Sequence, residues 1–487
     1  MRSLAPDPTE VAAAPRTNLI VAVLALAGIS VALMQTLVIP LIPALPALLH
    51  ASAGDATWAI TATLLAGAVA TPVVGRLGDM YGKRRLLLVS VALMVVGSVI
   101  GGLSDTLTPM IIGRILQGMA AGVIPLGISL MRDTVPPERL GSATALMSAS
   151  LGVGGALGLP AAAVLADHFD WHVLFWVAAA LGAVVGVLVA LIVPISTVRT
   201  GGRFDFVGAA GLSIALVCLL LAISKGSDWG WTSGRTAGLF AAALVVLLSW
   251  GWWELRSAEP LVDLRITARR QVLLTNAAST GIGFAIFAMS LVMPTLLQLP
   301  VVTGYGLGKS VLDVGLVMAP SGLVMLGAAP VSARMARTRG FRLPLIVGAI
   351  VVAGGYALSA VLMDTIWELV LATSVIGAGV GLAYGSMPAL VMTAVPLSET
   401  AAANSLNTLM RSLGMSTASA VGGAILANLT VSLGSATIPT QNAFRVVLSL
   451  AAGAALVSAL IAGFLPRVRP NPSAADPMPE LMLRDHR

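Results

Sequence analysis

The stretch GRLGDMYGKRR, residues 75–85, decides how the rest of the chain is read. It joins two apolar runs, 57–77 and 86–104. Each is near the roughly 20 residues a helix needs to cross a bilayer core. Gly75 and Gly82 permit a tight turn between two such helices. Asp79 is placed to face a helix N-terminus or an arginine, and Lys83, Arg84 and Arg85 anchor the turn at a cytoplasmic surface. Basic anchoring alone explains Lys83–Arg85. It does not explain the glycine and aspartate spacing, which points to a gating element.

The whole chain reads the same way. Of its 487 residues, 57% are hydrophobic and 10% are charged, with mean hydropathy +0.95. A soluble domain carries about 25% charged residues. A soluble enzyme, a disordered regulator and a basic nucleic-acid binder are disfavoured together. Fourteen membrane helices are expected, at 19–45, 57–77, 86–104, 108–131, 141–166, 171–193, 206–225, 236–253, 272–298, 312–333, 343–363, 366–394, 401–428 and 442–465. The runs are too long and too continuous for barrel strands. The first is longer than a signal-peptide core and is read as a retained helix.

The net charge of +7 fits this count as topology. With a cytoplasmic N-terminus, 22 of the 28 Lys and Arg fall in cytoplasmic segments. Outer loops hold Lys225, Arg235 and Lys309, while Arg114, Arg411 and Arg445 lie within spans. That asymmetry supports an even number of spans and two cytoplasmic termini. Arginine greatly outnumbers lysine, which with the Ala, Gly and Val content suggests a GC-rich bacterial genome. The single Cys218 excludes a disulfide framework and a cysteine metal site.

An internal duplication follows from landmarks. Gly82 matches Gly340 at an offset of 258, Gly118 and Gly122 match Gly377 and Gly381 at 259, and TVPP (134–137) matches AVPL (394–397) at 260. Two six-helix halves are expected, 1–200 and 271–466. A two-helix insertion with linkers occupies 201–270, and a cytoplasmic tail 467–487.

Two polar groups stand inside spans. Arg114 of RILQG (114–118) is costly in a membrane and should be paired or line a cavity; Gln117 is one turn on, and Gly118 follows. Arg411, in SLNTLMRSLG (405–414), follows Asn404 and Asn407 on overlapping helix faces and forms a polar stripe. Such a stripe serves either a cavity or an interhelical hydrogen-bond network.

GRLGDMYGKRR and RILQG resemble the signature motifs of the major facilitator superfamily. The central helix pair, TGGRFDFVGAAGL before the seventh helix and EPLVDLRI before the ninth resemble its 14-helix drug:proton antiporter family. The resemblance covers nearly the whole chain. It implies an all-α integral membrane protein of two pseudo-symmetric six-helix bundles plus two inserted helices. It also implies alternating access and a central cavity lined by helices 1, 2, 4, 5, 9, 10, 12 and 13. Under it, Met34, Gln35, Arg114, Gln117, Asn407 and Arg411 line the cavity, and the 75–85 loop latches the cytoplasmic side in the outward-facing state. Met289, Met293 and Met387 offer an adaptable apolar wall, or simply pack the core.

Two departures stand out. LMQTLVIPLIP (33–43) carries Met34 where the family has an aspartate, and Gln35 cannot release a proton. The helix-5 motif survives as Gly154, Gly158 and a displaced Pro160, with Ala162 and Ala163 replacing glycines. None of the 21 acidic residues sits clearly at mid-membrane; Asp313 is the one outer carboxylate expected near the cavity. GYGLGKS (304–310) fails phosphate-loop spacing, because Thr303 stands where glycine is required. DHFDWH (167–172) reads as an outer turn rather than a metal site, and no catalytic Ser/His/Asp set lies within spans.

The expected function is secondary export of amphipathic drugs or small natural products by proton antiport, with antibiotic resistance as its consequence. The alternative is a transporter of lipids or lipid-like solutes, possible without proton coupling. No enzymatic activity, cofactor, metal or nucleic-acid partner is expected. A monomer in a bacterial cytoplasmic (inner) membrane is.

Overall fold

The computed structural model describes residues 8–38, 41, 45–56, 58–433 and 436–466. The tail at 467–487 lies outside the described residues, as do the basic positions Arg2, Arg467, Arg469, Arg484 and Arg487. Fourteen long helices make up the fold of the described residues. The first seven are α1 (Pro8–Thr36), α2 (Trp58–Tyr81), α3 (Lys83–Gly102), α4 (Leu107–Thr134), α5 (Pro137–His168), α6 (His172–Ile192) and α7 (Phe206–Trp229). The others are α8 (Gly234–Arg256), α9 (Arg270–Gln298), α10 (Val311–Arg339), α11 (Arg342–Val361), α12 (Ile366–Met392), α13 (Thr400–Asn428) and α14 (Gln441–Gly463). Among the described residues, thirteen are long and apolar enough to cross a membrane. The exception, α13, has the length (29 residues) but carries Asn404, Asn407 and Arg411. Helix α4 is interrupted by a 3-10 turn at Ala120–Gly122. One feature was not expected: a short hairpin, β1 (Thr430–Leu433) antiparallel to β2 (Ala436–Pro439), joins α13 to α14.

Each half buries its own apolar core. One is built around Leu24, Val31, Leu87, Leu126 and Met147, the other around Ile282, Val292, Tyr356, Ile376 and Phe444. Both cores rely on close backbone approach at glycines. A Cβ on Gly97 of α3 would stand 2.5 Å from Gly113 O of α4, and one on Gly348 of α11 would stand 2.5 Å from Gly379 O of α12. Contact of this kind supplies the packing that lipid, itself apolar, cannot drive.

The duplication is visible in detail at the two turns related by the 258-residue offset. Gly82 (φ 108°) and Gly340 (φ 81°) both take positive-φ backbone. A side chain at either position would be strained. Two residues later, Arg84 donates to Ala190 O and Arg342 to Gly463 O, in the last turns of α6 and α14. Each guanidinium meets the electronegative end of the sixth helix of its half.

The halves meet along two seams. Helix α5 lies on α10, and α2 lies on α13. Small residues make the first seam: Ala145, Ala149 and Ala329 form a buried cluster, and Gly315 abuts Pro160. The inserted pair α7 and α8 pack on each other, and α7 also covers the α2–α13 seam through Leu212, Leu216 and Leu220. Helix α8 stands outermost.

Candidate functional site: a latch at one end and two buried arginines

The end of α2 meets the start of α13. Asp79 is fully buried. It accepts from Ala401 N at 3.2 Å and from Ala402 N at 2.8 Å. These are two of the orphan donors that every helix N-terminus leaves unpaired. The carboxylate also faces the positive end of that helix dipole. The contact needs Gly75 one turn earlier: a Cβ there would collide with Ser405 and stand 2.8 Å from Ala401 O.

Around Asp79 runs a chain of charges. Lys83, also fully buried, lies 2.8 Å from Asp133 and 3.8 Å from Asp79. Arg132 donates from α4 to Thr400 Oγ1 (2.7 Å) and Val395 O (3.2 Å), crossing between halves a second time. The linker after α6 straps the cluster: Ser196 Oγ donates to Asp133 (2.5 Å) and Thr200 N to Asp79 O (2.9 Å). Glu399, half-buried just before α13, has its carboxyl raised. Burial is the main cause and Asp263 adds to it, against the opposing Arg76 and Arg269. Arg85, by contrast, is exposed. Asp133, Arg132, Ser196 and Thr400 were not singled out in the sequence. Their only signal is polarity at helix ends, which many solvated residues share.

Arg114 forms a closed network within the first half. Its Nε donates to Ala59 O (3.0 Å) and its Nη1 to Gln117 Oε1 (2.7 Å), while Gln117 Nε2 donates to Ser98 Oγ (2.9 Å). All three side chains are buried. Gly118 then lets α4 touch the α2 backbone at Thr63.

Arg411 sits among side chains of α9, α12 and α13. Its guanidinium lies 4.8 Å from the Tyr384 ring centroid and reaches Asn407 Oδ1 at 3.4 Å and Thr408 Oγ1 at 3.3 Å. Asn407 Nδ2 donates to Asn276 Oδ1 (2.9 Å) and Ser279 Oγ (2.8 Å). Asn276, Ser279 and Tyr384 escaped the sequence reading because isolated polar residues in apolar runs do not reveal which neighbour they meet.

The other expected residues fall elsewhere. Met34 is buried in the core of the first half, and Gln35 beside it is exposed. Gly154 and Gly158 let α5 approach Ala32 and Thr36 of α1. Asp313, expected near the cavity, closes a capping box with Ser310 at the start of α10. The reason is local: a carboxylate three residues after a helix-capping serine satisfies the free N–H there. Of the DHFDWH cluster, Asp170 and His172 pair with each other, and the His172 N–H holds the Asp170 carboxyl below the usual range. No group of three metal-ligating side chains occurs among the described residues.

Residues 24–419 match the family model for the Major Facilitator Superfamily. The chain belongs to that superfamily. An uncharacterized MFS-type transporter of Mycobacterium tuberculosis is 29% identical over 420 residues, covering 85% of this chain and 60% of the relative. The chain thus spans about three-fifths of that relative's length. Multidrug export protein EmrB of Haemophilus influenzae is 30% identical over 386 residues, covering 76% and 73%. The proton:xylose symporter XylE shares the fold, with TM-score 0.64 at 13% identity over 93% of this chain and 96% of that one. This major facilitator is therefore a multi-pass membrane protein, and its relatives include multidrug exporters.

Proposed function

We propose that the protein exports small amphipathic molecules across a bacterial inner membrane by alternating access, with both termini and the latch end cytoplasmic. The observation that carries this reading is Asp79 on the N-terminus of α13. It ties the halves together at one end by groups that can separate into water, which suits a gate better than a permanent interface. The concentration of Arg and Lys at that end supports its cytoplasmic assignment. Resemblance to the 14-helix drug:proton antiporters and the multidrug relatives support export driven by proton antiport.

The test is flux in proteoliposomes, with a fluorescent amphipathic dye outside and a pH-sensitive probe inside. Dye-dependent proton movement is expected, and loss of both fluxes in Asp79→Asn ties them to the latch. Dye movement without proton flux would refute the coupling and leave facilitated or lipid-type transport, a reading favoured by Met34 in place of an aspartate. Movement of neither would refute export of this class.

A further inference from the structure

Arg411 is buried to 7% exposure. Among the described residues it forms no ion pair with any carboxylate. Burying a charge is costly unless it is paired and hydrogen-bonded. Its bonds to Asn407 and Thr408 are long, 3.4 Å and 3.3 Å. Charge-assisted pairs typically span roughly 2.7–2.9 Å. The ring of Tyr384, 4.8 Å away, and its hydroxyl offset part of the cost but carry no formal negative charge. Asp79 is too far to serve: it is bound at Ala402, nine residues earlier on the same helix. That places more than two helical turns between them.

Arg114 is an internal control. It is buried still deeper, at 2% exposure, yet its own half holds it by shorter bonds of 3.0 Å and 2.7 Å. Arg411 is the arginine held by the longer bonds. A neighbouring donor is unpaired: Asn276 Nδ2 is buried with no hydrogen-bond partner, beside the Asn407 amide that contacts Arg411. Cation, unpaired amide and aromatic face thus form a donor-rich patch on α9, α12 and α13 that lacks an acceptor of negative charge.

Resting on the exporter reading, we propose that Arg411, supported by Asn276, Asn407 and Tyr384, binds a carboxylate carried by the transported amphipath. The planar fork of a guanidinium matches a carboxylate with two parallel hydrogen bonds, shorter than those Arg411 makes to Asn407 and Thr408. The transported class is then anionic amphipaths rather than lipophilic cations.

The experiment uses the full chain in nanodiscs, titrated with three probes of one chain length: a dansyl-labelled fatty acid, its methyl ester and its trimethylammonium analogue. Empty nanodiscs correct for partition into lipid. The acid is expected to bind about tenfold or more tighter than the other two, the scale of one charge-assisted pair. Arg411→Gln should bring the acid down to the affinity of the ester, with Arg411→Lys recovering part of the difference. Asn276→Ala should weaken the acid and leave the ester unchanged. The comparison of acid with ester on the unmodified protein needs no variant to fold. Equal affinities, or a preference for the acid that survives Arg411→Gln, would overturn the proposal. Tightest binding of the cation would overturn it while leaving export intact. Binding of none would overturn both readings.

Discussion

Replacing Asp79 by asparagine should open the latch. The carboxylate takes two backbone N–H groups of α13, at 3.2 Å and 2.8 Å. It is fully buried and lies at the positive end of the helix dipole. A charge in a favourable, partly buried position at a helix terminus contributes up to about 2 kcal/mol. An amide keeps one acceptor oxygen but no charge, so most of that is lost. At about 1.4 kcal/mol per tenfold, the ratio of closed to open molecules should fall roughly 30-fold. Lys83 keeps Asp133 at 2.8 Å, so the substitution strands no buried cation and the fold should persist. The assay is a distance distribution between spin labels at Tyr81 and Leu397, both exposed and on opposite sides of the latch, after Cys218→Ser removes the native thiol. A second, longer distance should appear in the variant. A distribution unchanged within about twofold, about 0.4 kcal/mol, would refute the assignment of Asp79 as the latch.

Four further outcomes follow from the same geometry. Gly75→Ala should open the same seam, because the added Cβ meets Ser405 Cβ at 2.7 Å and Ala401 O at 2.8 Å; adding Ser405→Gly should recover part of the closure in the label assay. Arg114→Ala should destabilise the first half by about 1–3 kcal/mol, seen as a lower thermal midpoint by intrinsic fluorescence. The cause is Gln117 Oε1, left buried without its donor. Asp205 and Glu254 carboxylate oxygens would each stand 2.6 Å from a Cβ on Gly208, and Glu254 Oε1 is buried without a partner. Relieving that repulsion, Glu254→Gln should stabilise by on the order of 1 kcal/mol at neutral pH, read as a higher thermal midpoint. Finally, the raised Glu399 carboxyl means that latch closure prefers its neutral form. That contribution is present at acid pH and lost as pH rises through the closed-state value, so Glu399→Gln should remove the acid-side gain in closure measured with the same labels.

Much of the latch was legible because turn chemistry is local. Gly82 must adopt positive φ, and Asp79 must find donors at a helix end, whichever neighbour provides them. The fourteen helices were legible because a bilayer demands long apolar segments with every backbone group bonded internally. Even α13, too polar in its central stretch to pass as a span by hydropathy, was counted correctly by its length and by the alternation of basic loops. Helix ends were less so: α1 stops at Thr36 rather than extending to 45, and α10 runs on to Arg339, since caps and neighbours set termini.

Sequence by itself determined the class of fold, the duplication and the two arginines that had to be accounted for, because each is a consequence of hydrophobicity, periodicity or charge in lipid. Tertiary structure alone decided which arginine is held by the shorter bonds. Arg114 and Arg411 look alike in the chain, each in an apolar helix with an amide nearby. Neither meets an anion; their difference lies in the partners that packing supplies: Ala59 O and Gln117 hold one at 3.0 Å and 2.7 Å, while Asn407 and Thr408 reach the other only at 3.4 Å and 3.3 Å. Electrostatic pairing depends on distance in space. Arg114 and Ala59 are 55 positions apart, and their order in the chain carries no record of that distance.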